Sequence, residues 1–345
     1  MKRLTKIYLT AFCTILFVYF YSSINNVANA QRPEFSQYHS APLHLNPALA
    51  GIAYGPRFNI NYRNQWPQLN RGFETFAVSY DQHIEPLSGG IGVSITADRV
   101  AGGLLNTYTG HAMYSYQMRI ADNFGLKLGI SGGVVNRNIN WSQLTFGDMI
   151  NPLYGFVDEF NSPNPTTEIS PDNNNILYAD FGAGGVFFSE NWYVGAALNH
   201  ITRPKEHFTE EEHRLAIRTA IHGGYNFDIS SRPAQQLFLS PNVLLVQQLE
   251  FTQLNAGIYM GSEYFYGGVF YRHTLSNSDA IIGLVGFNAG PARIGYSFDF
   301  TVSGLEINSG GAHEISVSIN LGDDQSSLSP AGYRNQIKCP GILRF

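Results

Sequence analysis

An all-β fold, a transmembrane antiparallel outer-membrane β-barrel of about 14 strands, is what this sequence predicts. Three observations carry the prediction. Apolar and polar residues alternate with a period of two through most of the chain, the alternating runs are long, and they follow an apolar leader with a positive start.

The leader comes first in the chain. Lys2, Arg3 and Lys6 form a positive start, "IYLTAFCTILFVYFY" is an apolar stretch, and "ANA" ending at Ala30 fits a small-residue cleavage site. Residues 1–30 therefore read as a signal peptide, with Gln31 as the first mature residue. The apolar run falls short of the roughly 20 residues of a spanning helix, which argues against an uncleaved anchor. Cys13 follows Phe12 in the middle of the apolar stretch, where a lipoprotein signal needs a small residue. The mature chain keeps only Cys339, so no internal disulfide forms despite the oxidising setting.

The formal net charge is −5, and removing a leader with three basic residues and no acidic one makes it more negative, which excludes a nucleic-acid partner. Aromatic residues make up 14%, charged residues 14%, and glycine occupies 35 positions. High aromatic and glycine content with little charge suits strands that face lipid on one side.

The alternation is explicit in "RIGYSFDFTV". Ile294, Tyr296, Phe298, Phe300 and Val302 take one face, and Arg293, Gly295, Ser297, Asp299 and Thr301 take the other. "HEISVSINL" sets Ile315, Val317, Ile319 and Leu321 against Glu314, Ser316, Ser318 and Asn320. Candidate strands lie at roughly 56–66, 74–84, 89–100, 106–120, 123–141, 177–189, 191–201, 213–229, 236–249, 251–263, 264–275, 280–290, 292–302 and 311–322. A sandwich strand alternates in the same way, but ordinary strands average about five or six residues. Many runs here are longer, and a tilted membrane strand needs about nine to eleven.

An even strand count places both termini in the periplasm of a Gram-negative cell. With strand one running outward, connections after odd strands become long extracellular loops and those after even strands become short turns. The connection near Glu250 is the exception, and alternation weakens between 249 and 268. The chain divides into the leader, an N-terminal segment 31–55 at the periplasmic mouth, a barrel 56–322 with a long extracellular loop 142–176, and a periplasmic tail 323–345. The polar face assigns Asn59, Asn61, Arg63, Asp81, Asp98, His111, Arg119, Arg218, His222, Asp228, Arg293, Asp299 and Glu314 to the lumen. Their mixed signs predict internal ion pairs and not a selectivity ring of one sign.

No catalytic motif is present: neither a G-x-S-x-G elbow, nor a P-loop, nor H-E-x-x-H, nor paired C-x-x-C. His111 and Ser115 share an inward face, away from a lipid substrate. His200, His207 and His213 flank the acidic run Glu210–Glu212, which reads as a solvated loop before it reads as a metal site. The expectation is a protein without enzymatic activity, cofactor or resident metal. The long loop is more informative, because Trp141, Phe146, Tyr154, Phe156 and Phe160 stand among acidic residues as a partner-binding surface would. Its "NSPNPTTEISPDNNN" stretch equally fits flexible coil, or a lid folded into the barrel.

Just past the leader, "FSQYHSAPLHLNPALAG" is too short and too rich in proline for a strand. Phe35, Tyr38 and Leu45 cannot stay in water cheaply, so the segment is expected to plug the periplasmic mouth. Within it, Asn46 reads as a helix cap, Pro47 as a first helical residue and Gly51 as a left-handed stop. This stretch resembles the amino-terminal signature of the PorP/SprF family of outer-membrane proteins, which serve type IX secretion and gliding in Bacteroidetes. Arg63, Gln65 and Trp66 in "NYRNQWP" are similar to that family's first strand and its exit, and "KCPGILRF" is similar to the tails of some gliding-associated members.

The resemblance implies an accessory role in export: secretion or surface attachment of specific cargo with a C-terminal sorting domain, such as large adhesins. It implies partnership with other type IX components, including periplasmic ring proteins and a peptidoglycan-binding lipoprotein, and it carries no catalytic residue. The competing expectations are a porin-like or fatty-acid-channel-like transport barrel, and a passive anchor tied to periplasmic partners by its tail.

Overall fold

The computed structural model describes residues 34–322, apart from 54, 70–71, 122, 172, 207, 209–213, 231–236, 275–276 and 303–309. The leader 1–30 and the tail 323–345 with Cys339 lie outside the described residues, as do His207, His213 and the acidic run between them.

Fourteen antiparallel strands close into a barrel. They are β1 (Arg57–Gln65), β2 (Phe73–Ile84), β3 (Gly89–Val100), β4 (Leu105–Ala121), β5 (Phe124–Ile139), β6 (Asn175–Phe188) and β7 (Trp192–Asn199). The second half comprises β8 (Arg218–Tyr225, resumed after Asn226 by Phe227–Asp228), β9 (Phe238–Gln248), β10 (Phe251–Gly261), β11 (Phe265–Thr274), β12 (Asn277–Ala289), β13 (Ala292–Thr301) and β14 (Ala312–Asn320). Each strand pairs with its sequence neighbours. β1 closes the ring on β14 through a ladder from Arg57↔Asn320 to Gln65↔Ala312.

The alternation sorts the side chains as a membrane barrel requires. Along β1, Arg57, Asn59, Asn61 and Arg63 are buried inward, while Phe58, Ile60 and Tyr62 are exposed outward. Ile91, Val93 and Ile95 on β3 and Val269 and Tyr271 on β11 extend this outward apolar surface around the ring. With every backbone group of such a wall satisfied by a neighbouring strand, lipid is a tolerable solvent for it.

Strand positions depart from the sequence reading in one place with a clear cause. β8 begins at Arg218, not 213, because the Leu215 N–H turns away to the Pro204 carbonyl. The short connection near Glu250 is a tight turn with Leu249 at φ 51°. Connections after even strands gather at one end, here the turn end, and include the single-turn 3-10 helix Glu85–Leu87. Connections after odd strands gather at the opposite loop end, where residues 140–174 form the longest.

Most polar residues assigned to the lumen are buried, but Arg119 and Asp228 are exposed. Both carry the inward parity, yet they stand at the turn-end extremities of β4 and β8, past the enclosed lumen. The lumen is also less uniformly polar than expected. From β6 to β12 its inner face carries Phe188, Tyr193, Leu244, Tyr259, Phe270 and Ile282, all buried in one apolar cluster.

Candidate functional site

What covers that inner apolar face is the amino-terminal segment. Every residue from 35 to 53 is buried, and the segment runs as three short turns: a 3-10 turn Tyr38–Ser40, a helical turn Pro42–Leu45 and a 3-10 turn Pro47–Leu49. Proline opens two of them because its missing N–H has no partner at a helix start anyway. Asn46 joins the last two: its Oδ1 accepts the Ala48 N–H at 2.9 Å, and its Nδ2 donates to the carbonyls of Gly185 and Ala196 at 3.2 and 3.1 Å. One side chain thus caps a turn and ties it to two strands of the wall.

Gly51 adopts φ 65°, and a Cβ there would sit 2.7 Å from the Gly90 Cα. Only glycine permits both the left-handed turn and this backbone-to-backbone approach. Its N–H donates to Asp81 Oδ2 at 2.7 Å, and Arg57 holds the same carboxylate at 2.9 Å. The neighbouring Ala50 carbonyl accepts from Ser115 Oγ at 2.7 Å and Lys127 Nζ at 2.9 Å. These contacts fix the segment at the turn end, where β1 begins.

The other end of the segment is held far up the lumen. The backbone N–H groups of Ser36 and Gln37 donate to the two oxygens of Glu314 at 2.7 and 3.0 Å. Ser36 Oγ donates to Asp299 Oδ2 at 2.7 Å and accepts from Arg63 and Arg272. Arg63 reaches Asp299 at 2.9 Å and Glu314 at 3.3 Å, while Arg272 reaches Asp299 at 3.0 Å. Gln37 completes the lattice through Ser297, Ser316 and the Glu314 carbonyl. Glu34 pairs with Arg218.

Arg57 and Arg63 lie six residues apart on β1, about 20 Å along a strand. The segment therefore extends along the lumen from the turn end towards the loop end, well beyond a position at the mouth alone. Tyr38, Leu45 and Leu49 pack on the apolar inner face, with Tyr38 edge-on to Phe270 at 6.1 Å. His39 is buried there as well. Burial, reinforced by His222, holds its imidazole well below the ordinary histidine range and so neutral.

The loop residues 140–174 are organised differently. Trp141 and Phe146 lie against each other with ring centroids 5.0 Å apart. Tyr154, Phe156 and Phe160 are exposed, Phe160 at 79%. Asp148 accepts the Thr167 N–H at 2.6 Å and the hydroxyls of Thr166 and Thr167, and the first of these bonds in particular lowers its carboxyl below the usual range. Asn164 Nδ2 spans the carbonyls of Met149, Gly155 and Val157. The five aromatic residues singled out in the sequence are thus one touching pair and three outward-facing side chains.

His111 and Ser115, which share the inward face, are not partners: His111 meets Asp180 at 3.1 Å and Ser115 the Ala50 carbonyl. His200 is buried on the other oxygen of Asp180 at 2.9 Å and does not belong to a solvated loop. Sequence reasoning missed Arg272, Lys127 and Asp180. Their strands carry aromatic or glycine residues at inward positions, which blurs the polar face on which the lumen assignment relied.

The family described as type IX secretion system membrane protein PorP/SprF matches residues 27–319. No curated protein matches. Among solved structures, the toluene transporter TbuX of Ralstonia pickettii aligns with a TM-score of 0.45 at 8% identity, over 81% of this chain and 91% of that one. Omp33 of Acinetobacter baumannii gives 0.43 at 6% identity, over 78% and 100%. A FadL homologue of Pseudomonas aeruginosa gives 0.42 at 12% identity, over 80% and 93%.

Proposed function

The chain belongs to the PorP/SprF family of type IX secretion system membrane proteins, and we propose that it serves this machinery as a plugged outer-membrane receptor and not as a conduit. In this reading it supports secretion or surface attachment of specific cargo with a C-terminal sorting domain, such as large adhesins. The observation that carries the proposal is the segment 35–53, buried along its whole length and bonded to the wall at both ends. A barrel filled in this way is built to present surfaces.

Two surfaces follow. The loop end faces outside, with Tyr154, Phe156 and Phe160 available to cargo. The turn end faces the periplasm, where ring proteins and a peptidoglycan-binding lipoprotein would dock against the base of the plug; the start of the segment, with Glu34 on Arg218, lies instead towards the loop end. No catalytic role accompanies this reading.

Deleting the gene and measuring the surface proteome tests the export role: display of at least one sorting-domain protein should fall, and unchanged display of all of them would sink it. Planar bilayers test the plug. The purified barrel should not conduct, whereas steady conductance would return the transport alternative. Replacing Tyr154, Phe156 and Phe160 with alanine together should reduce cargo capture without altering barrel assembly.

A further inference from the structure

At the loop end, the outward face of β1 to β4 changes character. One cross-strand row runs Asn64↔Glu74, Glu74↔Arg99 and Arg99↔Asn106, all on the outward parity. The next outward positions towards the turn end hold Tyr62, Phe76, Ala97 and Tyr108, and Ile60, Val78 and Ile95 follow. The polar row thus stands on the edge of the apolar band. Against it lies a cleft of about 380 Å³, lined by the four polar residues and Tyr108, a size that ligand pockets share. Gly72, Gly102 and Gly103 complete the lining without putting a side chain into it.

Opposite charges that face each other on neighbouring strands gain by pairing. Glu74 and Arg99 face each other and do not pair. Glu74 accepts the Tyr62 hydroxyl at 3.3 Å, and Arg99 makes no hydrogen bond or ion pair among the described residues. Both side chains are exposed and both line the cleft. An anion seated there would meet Arg99 but be repelled by Glu74, and a cation would meet the reverse. A sugar ring suits both, because each hydroxyl donates and accepts at once. It can donate to Glu74 and accept from Arg99, while Asn106, whose Nδ2 donates to the Gly103 carbonyl at 2.8 Å, keeps its Oδ1 as a further acceptor. Tyr108 supplies an aromatic wall for the C–H face of the ring.

We propose that this cleft binds the sugar headgroup of a membrane glycolipid. The choice of a lipid over a soluble glycan rests on the cleft's place in the wall. Phe76 and Ile95 are exposed on the outward face of the strands that carry Glu74 and Arg99, so acyl chains hanging from a sugar held at the polar row lie along them. The site is separate from both the plug and the loop 140–174, and stands independently of the export role.

The test reconstitutes the purified barrel into nanodiscs holding equal amounts of monoglucosyl diacylglycerol, phosphatidylcholine and phosphatidylglycerol with matched acyl chains. Native mass spectrometry then reads which lipid stays on the protein. The glucosyl lipid should be retained at least tenfold over phosphatidylcholine, and Glu74→Ala and Arg99→Ala should each remove that preference. Gel mobility before and after heating verifies that both variants are folded. Four results would overturn the proposal: equal retention of the three lipids, a preference unchanged in either folded variant, displacement of the glucosyl lipid by an equal concentration of methyl glucoside, which marks a soluble-glycan site, or preferred phosphatidylglycerol lost only in Arg99→Ala, which marks an anion site.

Discussion

Residues 35–53 and 140–174 make an instructive pair. Both lie outside the barrel strands, both carry aromatic residues and prolines, and both consist of short turns. The first is buried throughout, and the second leaves Leu153, Phe160 and Ile169 about as open to solvent as a free chain would. The difference lies in where their hydrogen bonds go. In the amino-terminal segment Ser36, Gln37, Asn46, Ala50 and Gly51 bond to the barrel wall. In the loop Asp148, Asn151, Asp158 and Asn164 bond within the loop itself. Aromatic content alone does not decide burial; a complementary wall does.

The sharpest way to break the comparison is to remove a wall residue that meets the buried segment and also pairs with the carboxylates that hold it. Arg63→Ala leaves Asp299 and Glu314 enclosed without one of their cations, and should cost about 3–5 kcal/mol, read as a lower urea midpoint for barrel unfolding. An unchanged midpoint would mean that the segment is not held by this lattice.

A matched pair of truncations comes next. Leu49→Ala should destabilise the barrel by about 2–5 kcal/mol, while Phe160→Ala in the loop should stay within about 0.5 kcal/mol of wild type. Equal effects would erase the distinction between the two segments.

Acid gives a smaller, graded test. Folding keeps His39 neutral, so as pH falls the unfolded chain takes up the proton first. The stability it confers is full above the ordinary histidine range and declines below it, by at most about 1.4 kcal/mol per pH unit. Unfolding midpoints followed from neutral pH to pH 5 should fall more steeply in wild type than in His39→Gln; parallel curves would contradict a buried, neutral His39.

The smallest effect belongs to the loop. Asp148→Asn should leave the barrel midpoint unchanged yet speed protease cleavage within 140–174, because Thr166 and Thr167 lose a charged acceptor. The lowered carboxyl of Asp148 also predicts that these bonds persist as pH drops through the usual carboxylate range, and fail only once its depressed value is passed. Protection that disappeared at ordinary carboxylate pH would count against this arrangement.

Much of the fold was legible because its signal is local. The period-two runs located fourteen strands, and the front motif marked Asn46, Pro47 and Gly51 as a capped turn with a left-handed exit, the conformations now seen at those residues. Less legible was the face from β6 to β12. There Tyr193, Tyr259 and Phe270 point inward, so aromatic residues occupy both faces and alternation loses contrast. The same blurring hid Arg272 on β11.

By itself the sequence determined the barrel, its strand order and the unusual segment before it, since side-chain parity and turn chemistry are properties of neighbouring residues. Only the tertiary structure decided which inward residues meet. Ser36 and Glu314 stand 278 positions apart, and Ser36 and Arg272 stand 236. Alternation tells that a side chain points inward but not what lies opposite, and it is the closing of the ring around the segment that sets Arg63, Arg272, Asp299 and Glu314 about one serine.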